Sequence, residues 1–473
     1  MDLTDTQSKK LFLFTKLWCF SVLFHLASFH YWSEDYLFLF LVAFASGILH
    51  LVYPIKNYFF FTALITSVVL VFTKMPHIPN HILFEWFLNV MFLITSGIYC
   101  LYKQVKQKFE NYFFDKTVLA ARWSLVVLYF YVVLHKLNYD FHDAEISCGA
   151  LLFEDIFNRA YLFHFDFIRD AFYHNWTFFA NFSIYFTLIA EALIPILLIS
   201  KKWRNVGLLF GMVFHLLLSL NSHNGIFSFS AMLFTAFIFF WNDKTTNHFY
   251  AIWFKYHSKI KIGLVGGVTL LIGLFLSNQM FYFNLVSLIC WLLYGGLYLL
   301  IFFNSLGGII LTKDINSEKK YKVGWALIIP GLIFMNGAAP YLGLKTEASF
   351  SMFSNLRTEG NLTNHQFIPA STQIFDFQKN LVSVITTDDP RLQNLDLYHK
   401  EDDVQLVFFE FVKLLNSSPE NVYVEFMYRD KVCFFEKKDG RVIRSDVSLE
   451  ESRLLNKFLA FRVVHSDKAL CRH

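Results

Sequence analysis

Charge is what this chain has least of. Only 16% of its 473 residues are Asp, Glu, Lys or Arg, against 55% hydrophobic, and the mean hydropathy is +0.43. Soluble domains carry roughly a quarter charged residues, so the deficit excludes an ordinary water-facing surface and indicates a polytopic membrane protein. The six cysteines, Cys19, Cys100, Cys148, Cys290, Cys433 and Cys471, are scattered without a CxxC, which leaves no zinc or redox motif. HExxH and a glycine-rich phosphate loop are also missing, so no metal site or nucleotide cradle is indicated. Net charge is only +4 and no basic aromatic stretch occurs, which argues against nucleic acid as a partner. No clear internal repeat of the kind transporters show is visible.

What the chain has in plenty is Phe (59) and Tyr (23), residues suited to lipid-facing surfaces and interfacial belts. Apolar runs of membrane length fall at 11–31, 36–53, 58–73, 82–102, 118–138, 177–200, 205–221, 224–241, 261–278, 282–303 and 323–339. The expected fold is therefore an all-α polytopic membrane protein of about eleven helices, its partner the lipid bilayer. The first run lacks an obvious small-residue cleavage site and reads as a retained helix rather than a removed signal peptide.

Lysine and arginine collect in alternate gaps: Lys9-Lys10, Lys56, Lys103/Lys106/Lys108, Lys201-Lys202-Trp203-Arg204, Lys255/Lys259/Lys261 and Lys313–Lys322. The positive-inside rule then places the N-terminus in the cytoplasm and the C-terminus outside, with a bacterial inner membrane as the expected location. The gap 139–176 mixes apolar and charged residues and is expected to include an amphipathic interfacial helix.

Beyond Pro340 the chain turns polar. Residues 380–389 and 422–446 alternate like strands, with Lys438-Asp439-Gly440 as a turn. Residues 404–418 and 448–462 carry helical spacing, and Ser448 with Glu451 has the form of a capping box. A small α+β extramembrane domain is expected at 341–473, after a membrane domain at 1–240 and further helices at 241–340. Cys433 and Cys471 would share its oxidising compartment and are a candidate disulfide.

Ionisable residues inside membrane helices are costly, so each is a candidate functional group. The run from Arg122 to Asp143 ends in His135-Lys136-Leu137-Asn138-Tyr139-Asp140. Lys136 is open to two readings: an anchor reaching the interface, paired with Asp140 one turn on, or a desolvated lysine whose free amine takes a proton. Glu191, in an apolar run, needs a partner or a proton. His215 stands alone on an apolar helix, and Asn80-His81 has the form of a helix start.

In combination, Asn80-His81, His135-Lys136-Leu137-Asn138 with Asp140, Glu191, Arg204, Gly207, Phe214-His215, Asn221-Ser222 and Phe227-Ser228 resemble, in order and in most spacings, the membrane domain of vitamin K-dependent gamma-carboxylase. They also resemble the wider bacterial group of HTTM-domain proteins, over about residues 60–240. Pro340–Leu344 and Ser349–Arg357 resemble the segment that follows the last helix in HTTM proteins. The resemblance implies that Lys136 is a base that deprotonates a reduced quinone (vitamin K or menaquinol) and that His81 assists it. Asn138, Asp140, Glu191 and His215 would support them. O2 then turns the quinol into a strong alkoxide base, which needs a site closed to water, and CO2 is added to a protein glutamate. No metal is expected. The segment after residue 340 is shorter than the carboxylase's lumenal region. The alternative is accordingly a non-enzymatic membrane protein for lipid or quinone binding, transport or assembly that keeps only the fold.

Overall fold

The computed structural model describes residues 3–28, 36–53, 57–102, 106–159, 162–221, 224–308, 311, 321, 324–393, 395, 404–465 and 468–471. Thirteen helices come first: α1 Thr6–Ser28, α2 Leu37–Val52, α3 Asn57–Lys74, α4 Asn80–Leu101, α5 Phe109–Lys136, α6 Cys148–Arg159, α7 Asp166–His174, α8 Trp176–Ile199, α9 Arg204–Leu218, α10 Asn224–Ala236, α11 Asp243–Leu276, α12 Met280–Leu306 and α13 Ile328–Leu342. The eleven expected apolar runs coincide with helices. Seven of these, among the described residues, are long and apolar enough to cross a membrane: α3, α4, α5, α8, α11, α12 and the stretch Trp325–Leu342. Three more, Leu37–Val52, Arg204–Leu218 and Ile226–Phe240, are apolar but shorter. α1 also carries Lys9, Lys10 and Lys16. The gap 139–176 contains α6 and α7, strongly one-sided in sequence.

Helices packing in lipid gain little from the hydrophobic effect, so shape and interhelical hydrogen bonds hold them together. α1 is the central element, packed against α2, α3, α5, α10 and α11. Its Phe14 ring is centred within 5.1–6.5 Å of Phe60, Phe92, Phe113, Phe114 and Phe239, a buried aromatic knot in edge and tilted geometries. Polar ties cross it. Trp18 Nε1 donates to Asn89 Oδ1 at 2.7 Å, Thr235 Oγ1 to the Leu17 carbonyl at 3.0 Å, and Arg122 Nε to the Phe239 carbonyl at 2.9 Å.

The two ends of the bundle differ. At one end the N-terminal segment meets α5 and α11, through Ser8 to Glu110 and Leu3 to Tyr250. At the other, the chain leaves α13 through Gly343, whose φ of +80° suits glycine and whose Cβ would stand 2.2 Å from the Phe375 carbonyl oxygen. Residues 343–380 then cover the ends of α4, α5 and α6. Phe350 N donates to Asn80 Oδ1 at 2.5 Å, and Cys148 N to Asn355 Oδ1 at 2.8 Å.

The remainder is a six-stranded antiparallel sheet, order β5-β4-β3-β1-β2-β6, of β1 Leu381–Thr387, β2 Val404–Val407, β3 Val422–Tyr428, β4 Lys431–Lys438, β5 Arg441–Ser445 and β6 Val464–His465. Three short helices accompany it: α14 Pro390–Gln393, α15 Phe408–Asn416 and α16 Arg453–Phe458. Alternate residues of β3 (Val422, Val424, Phe426) point inward against Phe411 and Leu415 of α15, as a two-residue period requires.

Three expectations need correction. Residues 404–418 are not helical throughout, because β2 pairs with β1 before α15 begins. The cap of α16 is Ser452, which accepts from Leu455 N, and not the Ser448/Glu451 box. Asn416 Nδ2 binds the Leu449 carbonyl and keeps that segment out of the helix. Finally, Cys471 is bonded to Cys148, whereas Cys433 faces the sheet core and is free. The C-terminal segment is thereby tied to α6. Lys468 Nζ to Asp143 Oδ2 (2.8 Å) and Ala469 N to Asp140 Oδ2 (2.9 Å) reinforce the tie. The Lys468 ammonium, with the Glu145 N–H, holds the Asp143 carboxyl below the usual carboxylate range.

Two outcomes are expected. Alkylation of denatured, unreduced protein should modify Cys19, Cys100, Cys290 and Cys433 and leave a Cys148–Cys471 linked peptide; a Cys433–Cys471 peptide would contradict the assignment. Gly337 on α13 lies so close to α5 that a Cβ would stand 2.2 Å from Tyr131 Cδ2. Gly337→Ala should lower thermal stability in detergent by about 1–3 kcal/mol, the usual cost of overpacking.

Candidate functional site

The site begins with the way α5 stops. Asn138 replaces the missing helical partners: its Nδ2 donates to the carbonyls of His135 (2.7 Å) and Ser354 (2.6 Å), and its Oδ1 accepts from Phe141 N (2.8 Å). The chain therefore folds back in a tight turn at Asp140–His142. That turn brings the Phe141 ring under the last residue of α5, with Lys136 Nζ 5.8 Å from its centroid.

Lys136 does not reach for solvent. It is 4% exposed, Glu191 of α8 is 6% exposed, and Nζ donates to both carboxylate oxygens, at 2.7 and 2.6 Å. Glu191 stands well inside α8, fifteen residues or about 22 Å from the helix's first residue. The turn at Phe141 closes over the lysine end of the pair. Asp140, the alternative partner, is engaged elsewhere by Asn364 Nδ2 (2.8 Å) and Ala469 N. Asn138 and Asp140 accordingly fix the joint between α5 and the C-terminal segment.

A second pair lies against the first. Tyr129, two turns before Lys136, has its hydroxyl 2.7 Å from His215 Nε2 on α9, and both are buried. α10 forms the next wall with Phe227-Ser228-Phe229-Ser230. Ser230 Oγ donates to the His215 carbonyl. The Phe229 ring is centred 5.4 Å from His215 and 5.7 Å from His81, and Ser228 Oγ is 3.1 Å from His81 Nε2. Lys136, Glu191 and His215 therefore belong to one buried cluster. His81 lies across Phe229 from it.

Sequence reasoning missed the continuation beyond His81. His25 on α1 is centred 5.1 Å from the His81 ring, and its Nδ1 contacts Glu85 Oε2 on α4. Glu85 also receives Asn89 Nδ2 at 3.3 Å and Ser21 Oγ at 3.4 Å. A readable signal was present: His81, Glu85 and Asn89 recur every four residues, so they share one face of a helix. Tyr129 was hidden among the other tyrosines. No group of His, Cys, Asp or Glu able to hold a metal ion occurs among the described residues.

What the cluster can do follows from charge. A lysine and a carboxylate buried together are net neutral, and one proton can reside on either partner. A hydroxyl entering between them meets an acceptor in the carboxylate and a cation able to stabilise the oxyanion left behind. Comparison with protein-family models, with curated proteins and with solved structures gives no match to this chain.

Removing one partner strands the other's charge in a buried site, which costs about 3–5 kcal/mol. Lys136→Met and Glu191→Leu should each destabilise the purified protein on that scale, and the double variant by clearly less than their sum. Additive losses in thermal unfolding would show that the two side chains are not paired.

Proposed function

We propose that this chain is an integral membrane enzyme of the carboxylase-like group, acting on a lipid-soluble quinol through Lys136 and Glu191. The observation that carries the reading is the buried Lys136–Glu191 pair at the end of a membrane-length helix. A quinol reaches such a site from the bilayer, and its hydroxyl is the kind of weak acid that the pair can deprotonate. His81, beside Ser228, lies across the Phe229 ring and assists from the far side. O2 and CO2 would be co-reactants, with the alkoxide made from the quinol removing a proton from a protein glutamate. Exclusion of water by the 139–176 segment and by residues 343–380 suits so strong a base.

In the same reading all eleven apolar runs cross the bilayer, the N-terminus is cytoplasmic and the C-terminal domain lies outside. Two features support that orientation. Lys9, Lys10 and Arg204 lie at the end opposite the C-terminal domain, against Asn247, the Trp241 carbonyl and the Phe240 ring, and the Cys148–Cys471 disulfide is on the domain's own side, as an oxidising compartment favours. A bacterial inner membrane fits both.

One observation favours the non-enzymatic alternative. Both oxygens of Glu191 already face Lys136, an arrangement that also serves simply to clamp α5 to α8. The assay separates the two. Purified protein in nanodiscs, given reduced menaquinone, O2, labelled CO2 and a glutamate-containing peptide, should consume O2 and fix label. Lys136→Ala and Glu191→Gln should each lower the rate at least 100-fold, the range that general base catalysis contributes. Quinone binding without turnover in the wild type would favour the alternative, and equal turnover in Lys136→Ala would remove the lysine from the chemistry.

A further inference from the structure

Glu85 is a carboxyl group placed where carboxylates are costly. It is 3% exposed and lies in the second turn of α4, a helix of membrane length. Among the described residues its polar partners are His25 Nδ1, Ser21 Oγ and Asn89 Nδ2. None is a lysine or an arginine, so the group able to balance its charge is the His25 imidazole. His25 is itself 4% exposed. Apart from the close contact of Nδ1 with Glu85, neither ring nitrogen has a hydrogen-bond partner among the described residues, and the ring is centred 5.1 Å from that of His81.

The placement comes from helix geometry. His81, Glu85 and Asn89 are separated by four residues each, so they stand in a line about 6 Å apart along α4. Trp18, Ser21 and His25, spaced three and four apart, line the facing stripe of α1. Trp18 holds Asn89, Asn89 and Ser21 hold Glu85, and Glu85 holds His25. Each neutral donor fixes the next group, and the line ends on a buried imidazole nitrogen beside His81.

We infer that His25 and Glu85 form a proton-exchange pair that loads and unloads His81. The step balances within the protein. The Glu85 carboxylic acid gives its proton to His25 Nδ1 while His25 gives the proton on Nε2 to a ring nitrogen of His81. Glu85 becomes a carboxylate, His81 an imidazolium, and His25 remains neutral with its tautomer reversed. The reverse step returns the proton to Glu85. Two imidazoles and one carboxyl thus share a proton over one turn of α4 without water entering from the bulk. The assignment goes beyond the reading of Lys136 and Glu191 and holds whatever compound meets that pair.

Other titratable groups buried around these helices, among the described residues, are Lys10, Lys16 and Cys19 on α1, His50 on α2, Tyr129, Tyr131, His135 and Lys136 on α5, Tyr250 on α11 and Tyr341 on α13. The buried residues of α3 and the residues of α10 include none. Lys16 is itself engaged by His50, with Nζ 2.6 Å from Nε2, so the groups of α4 that meet His25 are Glu85 and His81.

The test uses full-length protein in lipid nanodiscs, labelled with 15N in histidine, and needs no substrate. His25 and His81 resonances are assigned with His25→Asn and His81→Asn. In the wild type the His81 ring should gain its proton in the same step in which the His25 signals report a reversed tautomer. Glu85→Gln keeps the shape and the contacts to Ser21 and Asn89, and should move the His81 step by at least tenfold in proton affinity, about one pH unit. An unmoved His81 step in folded Glu85→Gln protein overturns the inference. A second measurement needs no variant. Infrared spectra of wild-type protein with 13C-labelled glutamate should show a carboxylic acid band that exchanges in D2O and changes in the opposite sense to the His81 signal. Absence of any glutamate change across the His81 step also overturns it. Both readouts are independent of catalysis, so a failed turnover assay leaves them interpretable.

Discussion

A lysine and a glutamate buried against each other set the constraint on which the rest of this structure depends. Neither tolerates burial alone, so α5 and α8 must meet where Lys136 and Glu191 meet. Everything around that point serves the contact. Asn138 turns the chain at the end of α5, Phe141 closes beneath the ammonium, and the disulfide from Cys148 to Cys471 holds the C-terminal segment over the same turn. The end of α5 is thereby buried, with Lys136 4% exposed.

The polar groups of the bundle form a line and not a scatter. Lys136 and Glu191 adjoin Tyr129 and His215, α10 separates these from His81, and His81 adjoins His25 and Glu85. In a bilayer each such group must be satisfied within the protein. Satisfying them by sharing, residue to residue, produces both a helix-packing device and a route for protons. Structure and chemistry therefore draw on the same contacts.

Much of the architecture was legible in the sequence because hydropathy reports it directly. The apolar runs, the change of composition after Pro340 and the alternation in 422–446 each correspond to an element. Lys136 stood out because a charge inside an apolar run is rare. What was not legible is pairing between distant segments. Lys136 and Asp140 are one turn apart in sequence, yet Lys136 takes Glu191, 55 residues away, while Asp140 takes Asn364. Cys433 and Cys471 share a domain, yet Cys471 takes Cys148, 323 residues away. Glu85 and His25 were passed over because each is ordinary alone, and only the packing of α1 on α4 joins them. The expected box at Ser448 failed for a local reason, since the Asn416 side-chain amide takes the Leu449 carbonyl that a helix would use.

Quinol chemistry at this site requires a lipid-soluble ring to enter between the Lys136–Glu191 pair and Phe229. The most direct measurement is an electron cryomicroscopy map of the protein in lipid nanodiscs with a non-reactive menaquinol analogue. The expected result is ring density beside Phe229 with one oxygen in hydrogen-bond reach of Lys136 or Glu191. Density for the analogue elsewhere on the bundle, with Lys136 and Glu191 still in direct contact, would contradict it.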